Sequence, residues 1–226
     1  MKVFSITSPA FCEATAFFKE TAPNDVQLVL EDMVQGGSPA LCSEFWYQVI
    51  ERKFQILLDA IGAVMDDNPD EIMAWVDADC QFFGPVFEAM KECLGPMDIA
   101  FQMENGKETH INSGVMVFRA NHKVYNLFAK VLDYGIRIGG NGDQTVINHL
   151  MRRENRGEVS WTYLDWRFWT QTAVSVGNLE TPTKILLHHA NGTSVPNPVP
   201  EKVKILNAMR RYLISKEVPH IPKPKL

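Results

Sequence analysis

The chain has 226 residues, 46% of them hydrophobic and 22% charged, and its formal net charge is -5. This is enough apolar material for one sizeable core, so we expect a single domain. The negative charge, and the lack of a cluster of lysines and arginines, argue against nucleic acid or an anionic membrane as the main partner.

The first third of the chain carries two apolar runs, a long helical pattern and a third run. The runs predict strands at residues 3–6, 26–30 and 72–76. Between the second and third, apolar residues recur every three or four positions over residues 46–61, which predicts an amphipathic helix. Ser38-Pro39 and Gly62 are its expected start and stop signals.

Two carboxylates directly follow the third predicted strand, where Asp77 and Asp79 flank Ala78. Carboxylates are costly to bury and like charges at this spacing repel, so the pair requires either open solvent or a cation. Ligands collect at the carboxyl edge of open α/β sheets, and carboxylate oxygens suit a divalent cation. A solvated turn after the strand is the alternative.

The middle of the chain adds predicted strands at residues 99–101 and 115–118. The segment from His110 to Gly114 leads into the second of these. Its Asn112 can both donate to and accept from a polyhydroxylated ligand. Without that context, an Asn-Ser-Gly turn is the simpler interpretation.

Two further helices follow, the first from an Asn121 cap to a stop at Gly135 and the second after Gly142. Asp143 and Gln144 place a carboxylate and an amide where they can lie beside a sugar. Asp143 also suits a helix N-cap, and both roles are compatible.

The last predicted strand, residues 185–187, runs into His188-His189-Ala190-Asn191-Gly192. A neutral imidazole can complete a two-aspartate set for Mn²⁺, and Gly192 lets the backbone bend closely around a phosphate. One of the two histidines is expected to be a core or capping residue, and we favour His189 as the ligand. A final helix is predicted over residues 200–213, and the proline-rich residues 219–226 predict an extended or disordered tail.

The alternation of strands and helices predicts a layered α/β domain. No apolar run approaches the roughly 20 residues of a membrane span, and the N-terminus lacks the apolar core of a signal peptide. The four cysteines show no Cys-x-x-Cys spacing, which is typical of free thiols in a reducing compartment. We therefore expect a soluble cytoplasmic protein.

With these motifs in this order, the chain resembles the nucleotide-diphospho-sugar transferases of the GT-A fold, including the retaining glycogenin-like and lipopolysaccharide galactosyltransferase groups. The matching segments are residues 76–79, 98–102, 112–116, 143–144 and 189–192. The resemblance spans residues 3 to 192. It implies one Rossmann-like, three-layer α/β/α domain with a mixed sheet over residues 1–218.

The resemblance also implies a metal site and a catalytic set. Asp79, together with Asp77 directly or through water, is expected to hold Mn²⁺ or Mg²⁺, with His189 as the remaining protein ligand. Asn112 is expected to contact the donor sugar. Asp143 and Gln144 are expected near the anomeric carbon and the acceptor.

The donor-binding residues implied by the resemblance are Thr7, Lys53, Asp77, Ala78, Asn112 and Gly192. The first strand is expected to border the nucleoside, and Lys53 to reach the donor from the long helix. Glycogenin-like proteins carry a lysine shortly after His-x-x-Gly, but this chain does not. Lys184 and Lys202 are both candidates for that missing phosphate contact.

The implied activity is transfer of a sugar, with retention, from a UDP or GDP sugar to a saccharide or protein acceptor. A divalent ion would stabilise the charge on the leaving diphosphate and so explain how an acidic protein binds an anionic donor. A sugar-1-phosphate nucleotidyltransferase is one alternative, although residues 8–12 lack its Gly-rich basic loop. A nucleotide-sugar-binding module without turnover is another.

An aromatic-rich segment late in the chain has two interpretations. Aromatic faces suit stacking on a sugar acceptor, but such residues are more often part of the core. The residues concerned are Trp161, Tyr163, Trp166, Phe168 and Trp169.

Overall fold

The structure is a computed structural model that describes residues 1–34, 36–38, 40, 42–104, 107–135, 142–170, 184–191 and 198–215. Six strands form the main sheet: β1 (Lys2–Thr7), β2 (Gln27–Asp32), β3 (Ile72–Val76), β5 (Ile99–Glu104), β6 (Lys107–Arg119) and β7 (Trp161–Tyr163). Their order is β2-β1-β3-β6-β5-β7, and only β6 runs against the others. The predicted mixed sheet is confirmed.

A second, three-stranded sheet lies beside the first. Its strands are β4 (Cys80–Phe82), β8 (Phe168–Thr170) and β9 (Leu187–His189), in the order β4-β9-β8. Strand β9 begins two residues later than the predicted run 185–187, so both neighbouring histidines belong to the strand. Their side chains therefore point to opposite faces of this sheet.

The described helices are α1 (Cys12–Thr21), α2 (Glu44–Gly62), α3 (Phe87–Leu94), α4 (His122–Tyr134), α5 (Gly142–His149) and α6 (Val199–Ser215). A 3₁₀ turn, Pro9–Phe11, precedes α1, and a π-helical segment, Leu150–Glu154, follows α5. None of the helices in these ranges is long and apolar enough to cross a membrane.

Alternating side chains of the main sheet build a core on each of its faces. On β1 and β3, Phe4 and Trp75 pack with residues of α2 and α4, whereas Val3 and Ala74 pack on the opposite face. This alternation is the period of two that a sheet buried on both faces requires. It produces the three-layer α/β/α arrangement.

Helix α2 supplies the main stripe against the sheet. Ile50, Phe54, Leu57 and Ile61 are buried along one side, as their spacing predicts. The rings of Phe54 and Phe128 meet edge to face with centroids 5.5 Å apart. Truncating a buried phenylalanine of this kind to alanine costs about 3–5 kcal/mol.

The ends of the helices agree with the sequence signals in part. Helix α2 starts later than predicted, because Ser43 rather than Ser38 provides the cap by accepting from Trp46 N at 3.1 Å. The Asn121 cap and the Gly135 stop of α4 are both observed. Residues 139–141 and the predicted tail 219–226 lie outside the described residues.

Candidate active site

A cleft of about 730 Å³ lies where β1, β3 and β5 end. Thr7 and Glu104 are the last residues of β1 and β5, and Asp77 follows β3 directly. Parallel strands bring their carboxyl ends to one edge of a sheet, which is where ligands bind in open α/β folds. The volume is that of a small-molecule site.

Asp77 presents one carboxylate oxygen to the cleft and has the other one fixed. Its Oδ1 accepts from the indole nitrogen of Trp75 at 2.6 Å and lies 4.0 Å from Lys53 Nζ. Its Oδ2 lies 3.9 Å from His189 Nε2. The pKa of Asp77 is raised, chiefly because the core around it excludes bulk water, although Lys53 opposes this.

The orientation of the His189 ring is set by its hydrogen bond with Gln102. Gln102 Nε2 donates to the carbonyl of Phe168 at 3.2 Å, so Gln102 Oε1 faces His189 Nδ1, at 2.9 Å. An amide oxygen only accepts, so Nδ1 carries the proton. In the neutral ring, Nε2 then points its lone pair at Asp79 Oδ1, 3.3 Å away.

Asp79 is buried and contacts a lysine from the last helix. Its Oδ2 accepts from Lys202 Nζ, which also donates to the carbonyl of Ala190 at 3.0 Å. Burial alone would raise the pKa of Asp79, but the ammonium of Lys202, followed by the imidazole of His189, holds it well below its usual range. Asp79 is therefore a carboxylate at neutral pH.

These donor atoms are of the kind that binds a divalent cation. Asp77 Oδ2 and Asp79 Oδ1 lie 3.9 and 3.3 Å from His189 Nε2, whereas adjacent ligands of an octahedral Mg²⁺ are about 3 Å apart. A lone pair facing two carboxylates is repelled unless a proton or a metal ion lies between them. Carboxylate oxygen and neutral imidazole suit Mn²⁺ or Mg²⁺.

Cys80 is the other potential ligand near Asp79. Ligand atoms of Asp79, Cys80 and His189 all lie within 4.8 Å of one another. Burial, followed by the charges of Asp79 and Asp77, raises the pKa of the Cys80 thiol well above its usual value. Because the thiolate is the form that binds metal, Asp77 is the better third ligand.

A bulge in β6 shapes the floor of this site. Phe101 pairs with Met116, yet its neighbour Gln102 pairs with Asn112, so residues 113–115 bulge out between two paired positions. Bulges of this kind frequently occur beside active sites because they redirect the strand. Asn112 thus lies within a strand and not in the alternative Asn-Ser-Gly turn.

Gly114, inside the bulge, allows the side chains of Asp77 and His189 to approach one another. Its carbonyl accepts from Asp77 N at 2.8 Å. A Cβ at this position would overlap His189 Cε1 and lie 2.8 Å from Asp77 Oδ2. Only glycine leaves room for both groups.

Lys53 is a buried lysine within the apolar stripe of α2. Its ammonium donates to Asp143 Oδ2 at 2.7 Å and to the carbonyl of Ser113 at 2.8 Å. It also lies over the ring of Trp75, 5.1 Å from the centroid. Asp143 is in the first turn of α5 and its carboxylate binds Lys53, so the predicted N-cap role is wrong.

Glu104 holds several polar groups of the cleft. It accepts from Asn112 Nδ2 at 2.6 Å and from Gln144 Nε2 at 3.1 Å. Sequence reasoning missed this residue. A carboxylate that ends an apolar strand was the available signal, since the same pattern identified Asp77.

The comparisons with known proteins agree with this geometry. Residues 45–202 match the family model described as nucleotide-diphospho-sugar transferase. The chain belongs to this family. It is a glycosyltransferase, and its donors are nucleotide sugars. Among curated proteins, none matches the sequence.

Solved glycosyltransferases share the fold of this transferase at low sequence identity. One, involved in the glycosylation of the major capsid of PBCV-1, has a TM-score of 0.61 at 10% identity over 91% of this chain and 98% of its own. GlyE of Streptococcus pneumoniae TIGR4 has a TM-score of 0.56 at 14% identity, over 100% of this chain and 66% of its own. The galactosyltransferase LgtC, solved with donor and acceptor sugar analogs, has a TM-score of 0.50 at 11% identity, over 90% of this chain and 95% of its own. The expected GT-A fold is confirmed.

Most of the residues expected to bind the donor of the transferase line the cleft. Lys53, Asp77, Ala78 and Asn112 are among its lining residues. Thr7 also lines it, but its hydroxyl donates to Asp32, at the end of the neighbouring strand. Gly192 lies outside the described residues.

The two neighbouring histidines separate as their alternation on β9 requires. His188 is fully buried away from the cleft, with Nδ1 3.2 Å from Gln81 Nε2. Burial, and then the neighbouring His189, lower the pKa of His188 to about 3, so its ring stays neutral. The geometry favours His189 as the ligand.

The two candidate lysines also separate. Lys202 lines the cleft, whereas Lys184 is exposed and is not part of its lining.

None of the five aromatic residues considered as an acceptor platform lines the cleft. Phe168 and Trp169 are buried, and Trp166 stacks on Trp169 with ring centroids 5.4 Å apart. The core interpretation fits Phe168 and Trp169, whereas Trp166 is exposed.

The charges around the cleft leave an excess of negative charge. Among the described residues that line it, the carboxylates are Asp77, Asp79, Glu104 and Asp143, and the ammonium groups are Lys53 and Lys202. Four negative and two positive groups leave two negative charges with the histidines neutral. A divalent cation would balance them before the donor binds.

Proposed function

We propose that this transferase is metal-dependent and moves a sugar, with retention, from a UDP or GDP sugar to a saccharide or protein acceptor. The observation that carries the proposal is the convergence of Asp77 Oδ2, Asp79 Oδ1 and His189 Nε2, while the protonated nitrogen of His189 faces Gln102. These three residues would hold Mn²⁺ or Mg²⁺. When bound, the ion would supply Lewis-acid stabilisation of the leaving diphosphate.

Lys202 is our candidate for the phosphate contact. Its side chain is only 12% exposed and its ammonium is already at Asp79, beside the proposed metal. A cation at Asp79 would compete with Lys202 for the carboxylate and leave the ammonium available to a diphosphate oxygen. Helix α6 would thus replace the lysine that glycogenin-like proteins carry nearer to the histidine.

Retention is implied by the family resemblance, and the way the carboxylates of the cleft are engaged bears on how it would occur. Asp77 and Asp79 face the proposed metal, Asp143 pairs with Lys53, and Glu104 accepts from amides. This arrangement favours front-face transfer over a covalent intermediate. The bond from the anomeric carbon to the phosphate oxygen breaks, the bond to the acceptor oxygen forms, and the acceptor proton passes to the departing phosphate.

Thermal unfolding with UDP and GDP sugars, with and without Mn²⁺, tests the metal and identifies the donor. At a 100-fold excess over Kd, we expect the right donor with Mn²⁺ to raise Tm by about 5 °C or more. Asp79→Asn should abolish that rise. Asp70→Asn removes an exposed carboxylate that pairs with Arg119 and should keep it. A full shift for Asp79→Asn would overturn the metal site.

Product analysis separates the remaining alternatives. Release of nucleoside diphosphate from the donor is expected, whereas a binding module would release none. A nucleotidyltransferase would form pyrophosphate from a nucleoside triphosphate and a sugar 1-phosphate. NMR of the product tests retention, because an inverted anomeric centre would contradict front-face transfer.

A further inference from the structure

Glu104 is a carboxylate surrounded by neutral amides in the described part of the chain. Its Oε2 accepts from Asn112 Nδ2 at 2.6 Å, from Asn191 Nδ2 at 2.9 Å and from Gln144 Nε2 at 3.1 Å. Its Oε1 accepts from Asn191 Nδ2 at 3.0 Å. The donors come from β6, from α5 and from the segment after β9, so this one side chain joins three parts of the cleft.

A carboxylate fixes which way each amide faces. An ionised glutamate only accepts hydrogen bonds, so each amide must turn its nitrogen toward Glu104 and its oxygen away. Hydrogen bonds to a charged acceptor are roughly twice as strong as those between neutral groups. A neutral residue at position 104 would allow either orientation of each amide.

The consequence of this orientation is visible at Asn112. Its Oδ1, turned from Glu104, accepts from Gly114 N at 2.8 Å, and Gly114 is the residue against which Asp77 and His189 converge. Gln144 lines the cleft as well, so with its nitrogen on Glu104 its Oε1 is the end that remains for a ligand.

An oxygen is the group that the transfer requires at this position. The anomeric carbon gains positive charge as its bond to phosphate breaks, as in the oxocarbenium-like transition states of glycosidases. A carbonyl oxygen stabilises such a charge, whereas an N–H group would oppose it.

We propose that Glu104 is a positioning residue of the transfer reaction. It fixes the Gln144 amide so that Oε1 and not Nε2 faces the sugar being transferred. This inference rests on the proposed function, and it adds a residue that acts through Gln144 without touching the sugar itself.

Steady-state kinetics of Glu104→Gln with the donor found above tests this role. The substituted amide retains the size of the side chain but no longer forces Gln144 to present an oxygen. We expect kcat to fall about 10- to 100-fold, as for other outer residues that orient a catalytic group. The KM for the donor and the affinity for Mn²⁺ should change less than about threefold, because Glu104 touches neither in this scheme and Asn112 keeps its hydrogen bond from Gly114 N.

The double variant Glu104→Gln with Gln144→Glu provides the decisive comparison. The amide at position 104 then donates to the carboxylate at position 144, whose other oxygen still faces the sugar. We expect kcat at least about tenfold above that of Glu104→Gln alone, a coupling that independent sites would not show. Glu158→Gln, at an exposed ion pair with Lys130, is the matched control and should behave as wild type.

The outcomes are distinguishable. If wild type is active and Glu104→Gln keeps its full kcat, the positioning role is wrong. It is also wrong if the double variant shows no recovery, or if kcat falls only in step with a lowered Tm. If wild type releases no nucleoside diphosphate from any donor, the proposed function fails and this inference fails with it.

Discussion

Two carboxylates of the cleft are balanced in opposite ways. Asp79 faces Lys202 and His189, which are groups that a metal ion could displace or join. Glu104 is held by the neutral amides of Asn112 and Gln144. The first arrangement can adapt to a change of charge, whereas the second fixes the direction of each amide. In the proposed reaction, binding of the ion and orientation of the sugar would therefore depend on different residues of one cleft.

Removing the space beside the proposed metal site should have the largest effect. In Gly114→Ala, the added Cβ would overlap His189 and crowd Asp77, so the ligands can no longer converge. We expect loss of the Mn²⁺-dependent thermal shift and a fall in transfer of about 100-fold or more, as for lost electrostatic stabilisation at an active site.

The control for this variant is Gly62→Ala. Its new Cβ would meet Tyr125 at 3.7 Å, an ordinary contact, and the thermal shift should persist. Metal binding by Gly114→Ala with wild-type affinity would show that the two ligands do not approach one another through this gap.

Lys53 pairs with Asp143 and lies 4.0 Å from Asp77 Oδ1, and its loss should destabilise the fold. Lys53→Met leaves the buried Asp143 without its cation, since both side chains are less than 10% exposed. Breaking a buried pair in this way costs about 3–5 kcal/mol. Urea unfolding at pH 7 measures this as a lower midpoint with an unchanged slope.

The double variant Lys53→Met with Asp143→Asn is the matched comparison. It removes both charges, so part of the lost stability should return. If the double variant were no more stable than Lys53→Met, the cost would come from packing in the stripe of α2 and not from the unpaired charge.

A smaller effect is expected at Gln102, which orients His189 but contacts no ligand. Gln102→Leu removes the acceptor for Nδ1, so the ring can turn or change tautomer. We expect Mn²⁺ affinity, measured by electron paramagnetic resonance titration, to weaken about 10- to 100-fold. Gln102→Glu retains an acceptor and should bind Mn²⁺ far better than the leucine variant. Equal affinities for both variants would contradict the orienting role.

Local signals were sufficient for much of the fold. Helix α4 begins after Asn121 and ends before Gly135, as predicted. Such signals are local, because a cap and a left-handed stop act within one turn of the helix. Asp77 and Asp79 could be located at the cleft for the same reason, since they directly follow an apolar strand. The predicted helix start at Ser38 was wrong, because the serine that caps α2, Ser43, is identified only by the hydrogen bond that it accepts from Trp46 N.

The position of Lys202 beside Asp79 could not be predicted, because it depends on contacts that a local sequence pattern does not contain. Lys202 is 123 positions from Asp79, and only the packing of α6 brings the two together. The bulge of β6 was equally hidden, because it depends on the register with β5. Short strands such as β4 have too few residues to show an alternation of apolar and polar side chains.

The intrinsic fluorescence of Trp75 can report on binding at the proposed cation site of this enzyme. Its N–H donates to the Asp77 oxygen next to the one that faces His189, and the ammonium of Lys53 lies over its ring. Emission from an indole responds to nearby charge, and paramagnetic Mn²⁺ quenches fluorescence at short range. Filling of the cation site should therefore dim the native fluorescence, and Zn²⁺ or Mg²⁺ should shift it without the same quenching. Ligand exchange in the cleft can then be followed in real time on unlabelled protein.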